Sequence, residues 1–308
     1  MKKISADVVL IAGPTASGKS AAALILAKQI GGAIINADSM QVYAEPRILT
    51  ARPPDDDLKR VPHLLYGHVS VGEPYSVGRY QSDAARALTE VRTMKRVPIF
   101  VGGTGMYFGV LTQGIANIPA VPASVRAEAE ARRKQIGAEA FHAELTERDQ
   151  ESAARLQRSD SQRVLRAYEV FEATGRPLSR WQQEMGKPVL AGLDLARFVV
   201  APPRAELYAR IDARFNRMIE QGALEEAAAL ANIDLSLPAA KILGLRELLA
   251  VRAGAMSLDE AKSTAKQATR NYAKRQLTWF RNRMPDWAWI DGIDVNSIVS
   301  TIMGTLNK

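Results

Sequence analysis

Residues 13–20 read Gly13-Pro14-Thr15-Ala16-Ser17-Gly18-Lys19-Ser20, and no other stretch constrains the fold as tightly. They fit G-x-x-x-x-G-K-[ST], the phosphate-binding loop. Asp7-Val8-Val9-Leu10-Ile11-Ala12, apolar from Val8 on, reads as a buried strand before the loop, and 21–30 reads as a helix after it. In such a strand–loop–helix unit, backbone N–H groups at the helix start wrap a phosphate. Lys19 supplies a positive charge to the phosphates, and Ser20 a hydroxyl to Mg²⁺. The bland alternative is a glycine-rich turn that binds nothing, but motif, strand and helix agree against it. The loop does not say whose phosphate is bound, or what is done with it.

The following residues keep the same alternation. A second strand is predicted at 33–36, a helix at 80–95 and a third buried strand at 97–101, running into Gly102-Gly103-Thr104-Gly105. Short apolar strands separated by helices indicate a parallel α/β sheet. Sites in such sheets lie beyond the carboxyl ends of the strands. Residues 17–20, Asp38 and Thr104 all follow strand ends and are expected to converge. From 124 to about 184 the chain is rich in Ala, Glu, Arg and Gln and offers no strand, which reads as a helical insertion. A strand at 197–201 returns to the sheet. Helical stretches follow at 204–231, from Pro238, and at 258–284, with a last strand at 287–290. In the long late helix, Leu258, Ala261, Ala265, Ala268, Tyr272 and Trp279 are expected to face the core, with Lys262, Lys266, Arg270 and Lys274 along one ridge. The organisation expected is a core of 1–117 with 195–308, interrupted by a helical domain at 118–194.

Two residues beyond the loop carry candidate chemistry. Asp38, in Asn36-Ala37-Asp38-Ser39-Met40-Gln41, either serves a metal or proton near the phosphate, or caps a helix. Thr104 sits where a nucleotide hydrolase places an acid to organise Mg²⁺ and water. A Gly-Gly-Thr-Gly turn instead suits close backbone approach with one hydroxyl donor, or a plain turn with a Thr cap. His63, His68 and His142 lack metal-site spacing and read as structural.

Charge points to a partner. The chain has 41 Lys and Arg against 33 Asp and Glu, a net charge of +8. Residues 241–283 hold ten Lys or Arg and three acids, so they carry seven of that excess. A concentrated basic segment suits a polyanion such as nucleic acid, or is a solvated helix face. With no cysteine there are no disulfides or thiolate metal sites. Residues 1–5 run straight into the first strand without a leader, and no apolar run spans a membrane, so a cytoplasmic location is expected.

The motifs together resemble the tRNA dimethylallyltransferases, also called tRNA isopentenyltransferases. The matching pieces are the loop at 13–20, Asp38-Ser39 with Tyr43, and Gly102-Gly103-Thr104-Gly105-Met106-Tyr107-Phe108. Gln162-Arg163-Val164-Leu165-Arg166, Gly244 to Arg246 and Thr269-Arg270 through Arg281 follow in family order across nearly the whole chain. The loop alone is widely shared; the Gly-Gly-Thr-Gly-x-Tyr-Phe and Lys-Arg-Gln-x-Thr-Trp segments are far more specific. The resemblance implies a P-loop NTPase-like α/β core with a helical insertion domain. It implies transfer of a dimethylallyl group from its diphosphate to N6 of the adenosine 3′ of the anticodon, with Mg²⁺ as cofactor; a monomer is expected, although the sequence does not fix the oligomeric state. Asp38 is then the base and Thr104 a hydrogen-bond donor near the reacting centre. Residues 13–20 and Arg214 hold the diphosphate. Asp38-Ser39-Met40-Gln41, Thr104, Arg126, Gln162–Arg166, Lys241-Ile242-Leu243-Gly244-Leu245-Arg246 and Lys274-Arg275-Gln276-Leu277-Thr278-Trp279-Phe280-Arg281 grip the tRNA. The segment Leu49-Thr50-Ala51-Arg52-Pro53 departs from the family pattern, so its role stays open.

Three rivals remain at this point. A small-molecule kinase fits the loop, but lacks an acid after the third strand. An adenylate isopentenyltransferase shares the donor site without needing the basic helix. A non-catalytic RNA-binding protein does not need an intact Lys19, Ser20 and Asp38.

Overall fold

A computed structural model describes residues 5–292 and 294–307. The first four residues, on which the expectation of no leader rests, lie outside the described residues. β1 (Val8–Ala12) is five buried apolar residues without polar alternation, the pattern of a strand covered on both faces. It is followed by α1 (Lys19–Ile30), β2 (Gly32–Asn36), α2 (Asp55–Arg60), β3 (His63–Leu64), α3 (Val77–Thr93), β4 (Val97–Gly102) and α4 (Gly105–Thr112). The helical stretch contains α5 (Ala123–Arg148), α6 (Gln150–Arg155), α7 (Ser161–Thr174) and α8 (Leu178–Gln183). Then come β5 (Leu195–Val200), α9 (Arg204–Glu220), α10 (Ala223–Ala229), a 3₁₀ turn (Pro238–Lys241), α11 (Leu245–Arg252), α12 (Leu258–Arg283), β6 (Ala288–Ile290) and α13 (Val295–Leu306).

The six strands form one sheet in the order β3-β2-β4-β1-β5-β6, with every pairing parallel. β1 is central: Leu10 pairs with Phe100 of β4 on one side and Arg197 of β5 on the other. Parallel pairing brings every carboxyl end to one edge, where β1 runs into the loop, β2 approaches Asp38 and β4 runs into Thr104. The two-residue alternation of strands sorts the core. Val9, Ile11, Ile34, Ile99 and Phe198 face α1 and α13; Leu10, Ile35 and Phe100 share the opposite core with residues of α3, α4 and α10–α12. Each such buried apolar side chain contributes about 1.5–3 kcal/mol. This is a P-loop NTPase-like α/β core.

The structure corrects several sequence expectations. β3 has only two residues, too short to leave a periodic signal. The helix expected over 204–231 is interrupted at Gln221–Gly222, where Gly222 takes φ 98°. In α12 the buried stripe is Ala261, Ala265, Thr269, Ala273, Gln276 and Phe280. Ala261 and Ala265 are buried as expected, Leu258 and Trp279 pack half-buried against the same core, and Ala268 and Tyr272 are half-buried beside the stripe. The ridge of basic residues is partly neutralised: Arg270 forks onto Asp212 at 2.7 Å and Lys262 pairs with Asp259 at 3.2 Å.

Thr112–Pro188 forms a second compact unit. Its core gathers Phe141, Leu145, Val164, Ala167 and Val170. Asp149 is buried and satisfied by the N–H groups of Ser152 and Ser179, both at 3.0 Å, and the Ser179 hydroxyl at 2.6 Å. The unit ends at 188 because the next residues belong to the sheet domain: Val189 and Leu190 donate N–H groups to Val110 and Leu111, and Leu190 is buried in that core. The three histidines make local bonds. His63 Nδ1 lies 2.8 Å from the Val61 carbonyl, His68 Nε2 3.5 Å from Asp83, and His142 Nε2 3.1 Å from the Leu156 carbonyl. Among the described residues no helix is long and apolar enough to cross a membrane.

Candidate active site

The loop is tied down by long-range bonds. Lys19 opens α1 and is buried, its Nζ donating to the Pro14 carbonyl at 3.1 Å across the loop. Arg214 of α9 donates to the Thr15 hydroxyl. Gln276 of α12 accepts the Thr15 N–H at 3.0 Å through its side-chain oxygen, and its nitrogen donates to the Gly103 carbonyl at 2.8 Å. Ser17 is fully buried, and its hydroxyl has no hydrogen-bond partner among the described residues. A buried hydroxyl without a partner is costly, and a bound anion's oxygen would satisfy it.

Asp38 is held from both sides. Its N–H donates to the Asn36 side-chain oxygen at 2.8 Å, while the Asn36 amide nitrogen donates to the carbonyls of Asp38 at 2.9 Å and Leu65 at 3.0 Å. Asn36 is fully buried beneath Tyr80, whose hydroxyl donates to the Asn36 carbonyl and whose ring stacks on Tyr107. One Asp38 carboxylate oxygen accepts the Met40 N–H at 2.9 Å. This is an Asx-type turn, not a helix cap: no helix begins between Asp38 and residue 55. The Thr104 hydroxyl oxygen accepts the Ser39 N–H at 2.9 Å and lies 3.2 Å from the Ser39 hydroxyl. The glycines before it are required by close approach. A Cβ at Gly102 would stand 1.9 Å from the Ala37 carbonyl oxygen. One at Gly103 would stand 2.2 Å from Gln276 Nε2 and 3.3 Å from an Asp38 carboxylate oxygen.

A cavity of about 210 Å³ is lined by residues 15–21, Asp38, Gln41, Thr50, Ala51 and Arg214. A smaller one of about 60 Å³ shares Thr15, Asp38, Thr50 and Arg214 with it and extends to Leu49, Phe215, Met218, Ile242 and Tyr272. The first is cationic and polar, and the second adds an apolar wall of Leu49, Ile211, Phe215, Met218, Ile242 and Leu243 to the polar residues that it shares with the first, so together they match an anionic head joined to a small apolar group. Burial pushes the Lys19 ammonium down to about 8, with Asp38 opposing and Arg214 reinforcing the shift. Burial likewise lowers Arg214 to about 10 against the pull of Asp38. Two desolvated cations facing one carboxylate leave excess positive charge that an anionic ligand would neutralise. The Ser20 hydroxyl and Asp38 carboxylate line the same cavity. This oxygen-only set suits Mg²⁺, which keeps several waters and takes one or two protein oxygens plus phosphate oxygens. Among the described residues no group of three or more His, Cys, Asp and Glu side chains forms a metal cluster.

The other predicted residues divide into two sets. Lys241, Arg246, Lys274, Arg275, Thr278 and Arg281 are exposed on the sheet domain. Ile242, Gly244, Leu245, Gln276 and Phe280 are buried within it, Leu243 lines the apolar cavity, and Leu277 and Trp279 are half-buried. In the helical unit, Arg126, Gln162 and Arg163 are exposed, Val164 is in the core, Leu165 is half-buried, and Arg166 lies 3.7 Å from Glu169. The sequence reading left Thr50 and Ala51 without a role and missed Asn36 as the support of Asp38. The Asn-x-Asp spacing was a signal for the latter, because Asn side chains bond the backbone two residues on.

Comparison with known proteins agrees with this geometry. The model of the IPP transferase family matches residues 41–283, and that of an isopentenyl transferase family matches residues 6–71. A tRNA dimethylallyltransferase of Nitrobacter hamburgensis is 48% identical over 301 residues, 97% of this chain and 95% of that protein. One from Bradyrhizobium sp. (strain ORS 278) is 50% identical over 284 residues, 92% of each. The full-length tRNA isopentenylpyrophosphate transferase of Bacillus halodurans superposes with a TM-score of 0.67 at 33% identity, covering 99% of this chain and 97% of that one. A eukaryotic dimethylallyltransferase acting on tRNA superposes with a TM-score of 0.79 at 25% identity, over 94% of this chain and 74% of that one. On sequence, fold and motif order together, the chain belongs to the IPP transferase family, that of the tRNA dimethylallyltransferases.

Proposed function

We propose that this protein transfers a dimethylallyl group from dimethylallyl diphosphate to N6 of the adenosine 3′ of the anticodon in tRNA, as a monomer in the cytoplasm. The observation that carries the reading is one cationic cavity lined by Lys19, Arg214 and Asp38, which shares Thr15, Asp38, Thr50 and Arg214 with a smaller cavity that has an apolar wall, at the carboxyl edge of the sheet. Loop N–H groups, Lys19 and Arg214 hold the diphosphate and stabilise the charge that grows on it as the carbon–oxygen bond breaks. The donor carbon bonds to N6, and Asp38 takes the N6 proton. Thr104 orients the reacting centre by hydrogen bonding. Mg²⁺, held by Ser20 through its hydroxyl, would add charge neutralisation at the diphosphate. Base stacking makes the target adenosine inaccessible until it is flipped out. The exposed basic residues of the late helix and of residues 241–246, and Arg126 with 162–166, are the surfaces for the phosphate backbone.

The match of residues 6–71 to an isopentenyl transferase model motivates one rival, prenylation of free adenylate. The deciding experiment gives purified protein, Mg²⁺ and labelled dimethylallyl diphosphate either unmodified tRNA or AMP. Label is expected in tRNA; label in AMP and not in tRNA overturns the proposal.

A further inference from the structure

Glu226, in the first turn of α10, accepts three consecutive backbone N–H groups. Arg47 and Ile48 donate to one carboxylate oxygen, both at 2.7 Å, and Leu49 to the other at 2.8 Å. Successive amides converging on one anion form a nest, here filled by the protein's own side chain. Bonds to a carboxylate are roughly twice as strong as neutral ones.

The segment so held lacks a strand or helix of its own. Two turn bonds define it, Ala51 N–H to the Ile48 carbonyl and Arg52 N–H to the Arg47 carbonyl. Ala51 sits at φ 52°, which non-glycine residues rarely adopt. On the inner side, Gln41 Nε2 donates to the carbonyls of Thr50 and Ala51 at 3.0 and 2.8 Å. Thr50 and Ala51 face the phosphate cavity, and Leu49 and Thr50 the apolar one. Outer and inner clamps therefore fix a cavity wall that has little regular structure to hold it.

We propose that Glu226 is a positioning residue for the prenyl donor, fixing residues 47–51 as the wall that closes the cavity. The proposal rests on the reading of that cavity as the donor site. Glu226 acts through Leu49 and Thr50 and does not touch the donor. The test uses the full-length Glu226→Gln protein, whose amide keeps the size and one acceptor oxygen but sets its NH2 against at least one of the three N–H groups, with Glu226→Ala, which removes every acceptor, as a second variant. Inorganic pyrophosphate binding by calorimetry, KM for donor and for tRNA, and the rate of tryptic cleavage after Arg47 are measured. Expected are an increase of about tenfold in pyrophosphate Kd and donor KM, a tRNA KM within about twofold, and faster cleavage after Arg47 that pyrophosphate slows. Unchanged pyrophosphate Kd and cleavage overturn the proposal. So does a parallel loss of donor binding, tRNA binding and Tm, which marks general destabilisation. A wild-type protein that binds no pyrophosphate overturns the donor reading itself; unchanged cleavage then separately overturns the clamp.

Discussion

Gln276 and Thr15 are 261 residues apart, yet the side-chain oxygen of Gln276 accepts the Thr15 backbone N–H at 3.0 Å. The same carboxamide donates to Gly103, one residue before Thr104. A single side chain therefore sets the spacing between the phosphate loop and the Thr104 turn. Replacement by Leu keeps much of the volume but leaves the Thr15 N–H and Gly103 carbonyl without their partner, a cost of about 1–3 kcal/mol for each buried group. Gln276→Leu is expected to lower kcat by at least about tenfold, with tRNA affinity, measured by filter binding, within about twofold of wild type.

The two glycines before Thr104 should fail in different ways. A Cβ at Gly102 meets backbone, which cannot swing aside. Gly102→Ala is expected to destabilise the protein by about 3 kcal/mol, seen as a lower Tm. A Cβ at Gly103 meets mainly the Gln276 amide, which can move. Gly103→Ala is expected to cost turnover with a smaller fall in Tm. Equal Tm losses in both would contradict the geometry.

With the donor site as proposed, the depressed Lys19 ammonium is expected to make diphosphate binding pH-dependent. Free Lys19 loses its proton as pH rises through about 8, whereas a bound diphosphate favours the charged form. Binding above that pH then takes up a proton, so affinity falls as pH rises, by up to about tenfold per unit. Arg214, lowered only to about 10, stays charged through this window. Pyrophosphate Kd should rise between pH 7.5 and 9 in wild type and stay nearly flat in Lys19→Met, as read by calorimetry.

Asp38 is held by Asn36 and Met40 through the backbone and one carboxylate oxygen. Asp38→Asn preserves the shape and an acceptor for the Met40 N–H but removes the carboxylate proposed as the base. Turnover is expected to drop by about 10²–10⁴-fold while tRNA binding survives. Turnover within a few-fold of wild type would remove Asp38 from that role.

On the late helix, Lys274, Arg275 and Arg281 are exposed, and among the described residues no carboxylate stands within 4 Å of them. Arg270 is already paired with Asp212. Neutralising each of the first three should weaken tRNA binding and reduce the salt slope by about one for each tRNA phosphate left without its cation. Arg270→Gln should change the slope less. A slope unchanged in the triple variant would make this helix a solvated face.

The loop, β1 and β4 were legible because short apolar runs bounded by Gly carry their meaning locally. β3 was not, since two residues have no period. The two polar members of the α12 stripe were also hidden. Thr269 and Gln276 break the apolar pattern, and nothing near residue 276 reveals that its partners are Thr15 and Gly103. Glu226 is the same case, because in sequence it is one of two adjacent glutamates on a short helix, and only the fold brings it to Arg47, Ile48 and Leu49. Local chemistry was readable, whereas the struts that hold it join residues far apart along the chain.

The chain leaves the sheet domain at Leu111 and rejoins it at Val189, with Val189 and Leu190 bonded back onto Val110 and Leu111. Within the helical unit the two ends also meet, Gly186 donating its N–H to the Ile115 carbonyl at 3.0 Å. A segment whose entry and exit lie side by side behaves as a cassette. It can lengthen, shorten or be exchanged between descendants without changing the path of the sheet. On the proposed function, change in its exposed residues would alter one part of the RNA surface while the donor cavity of the sheet domain stays as it is.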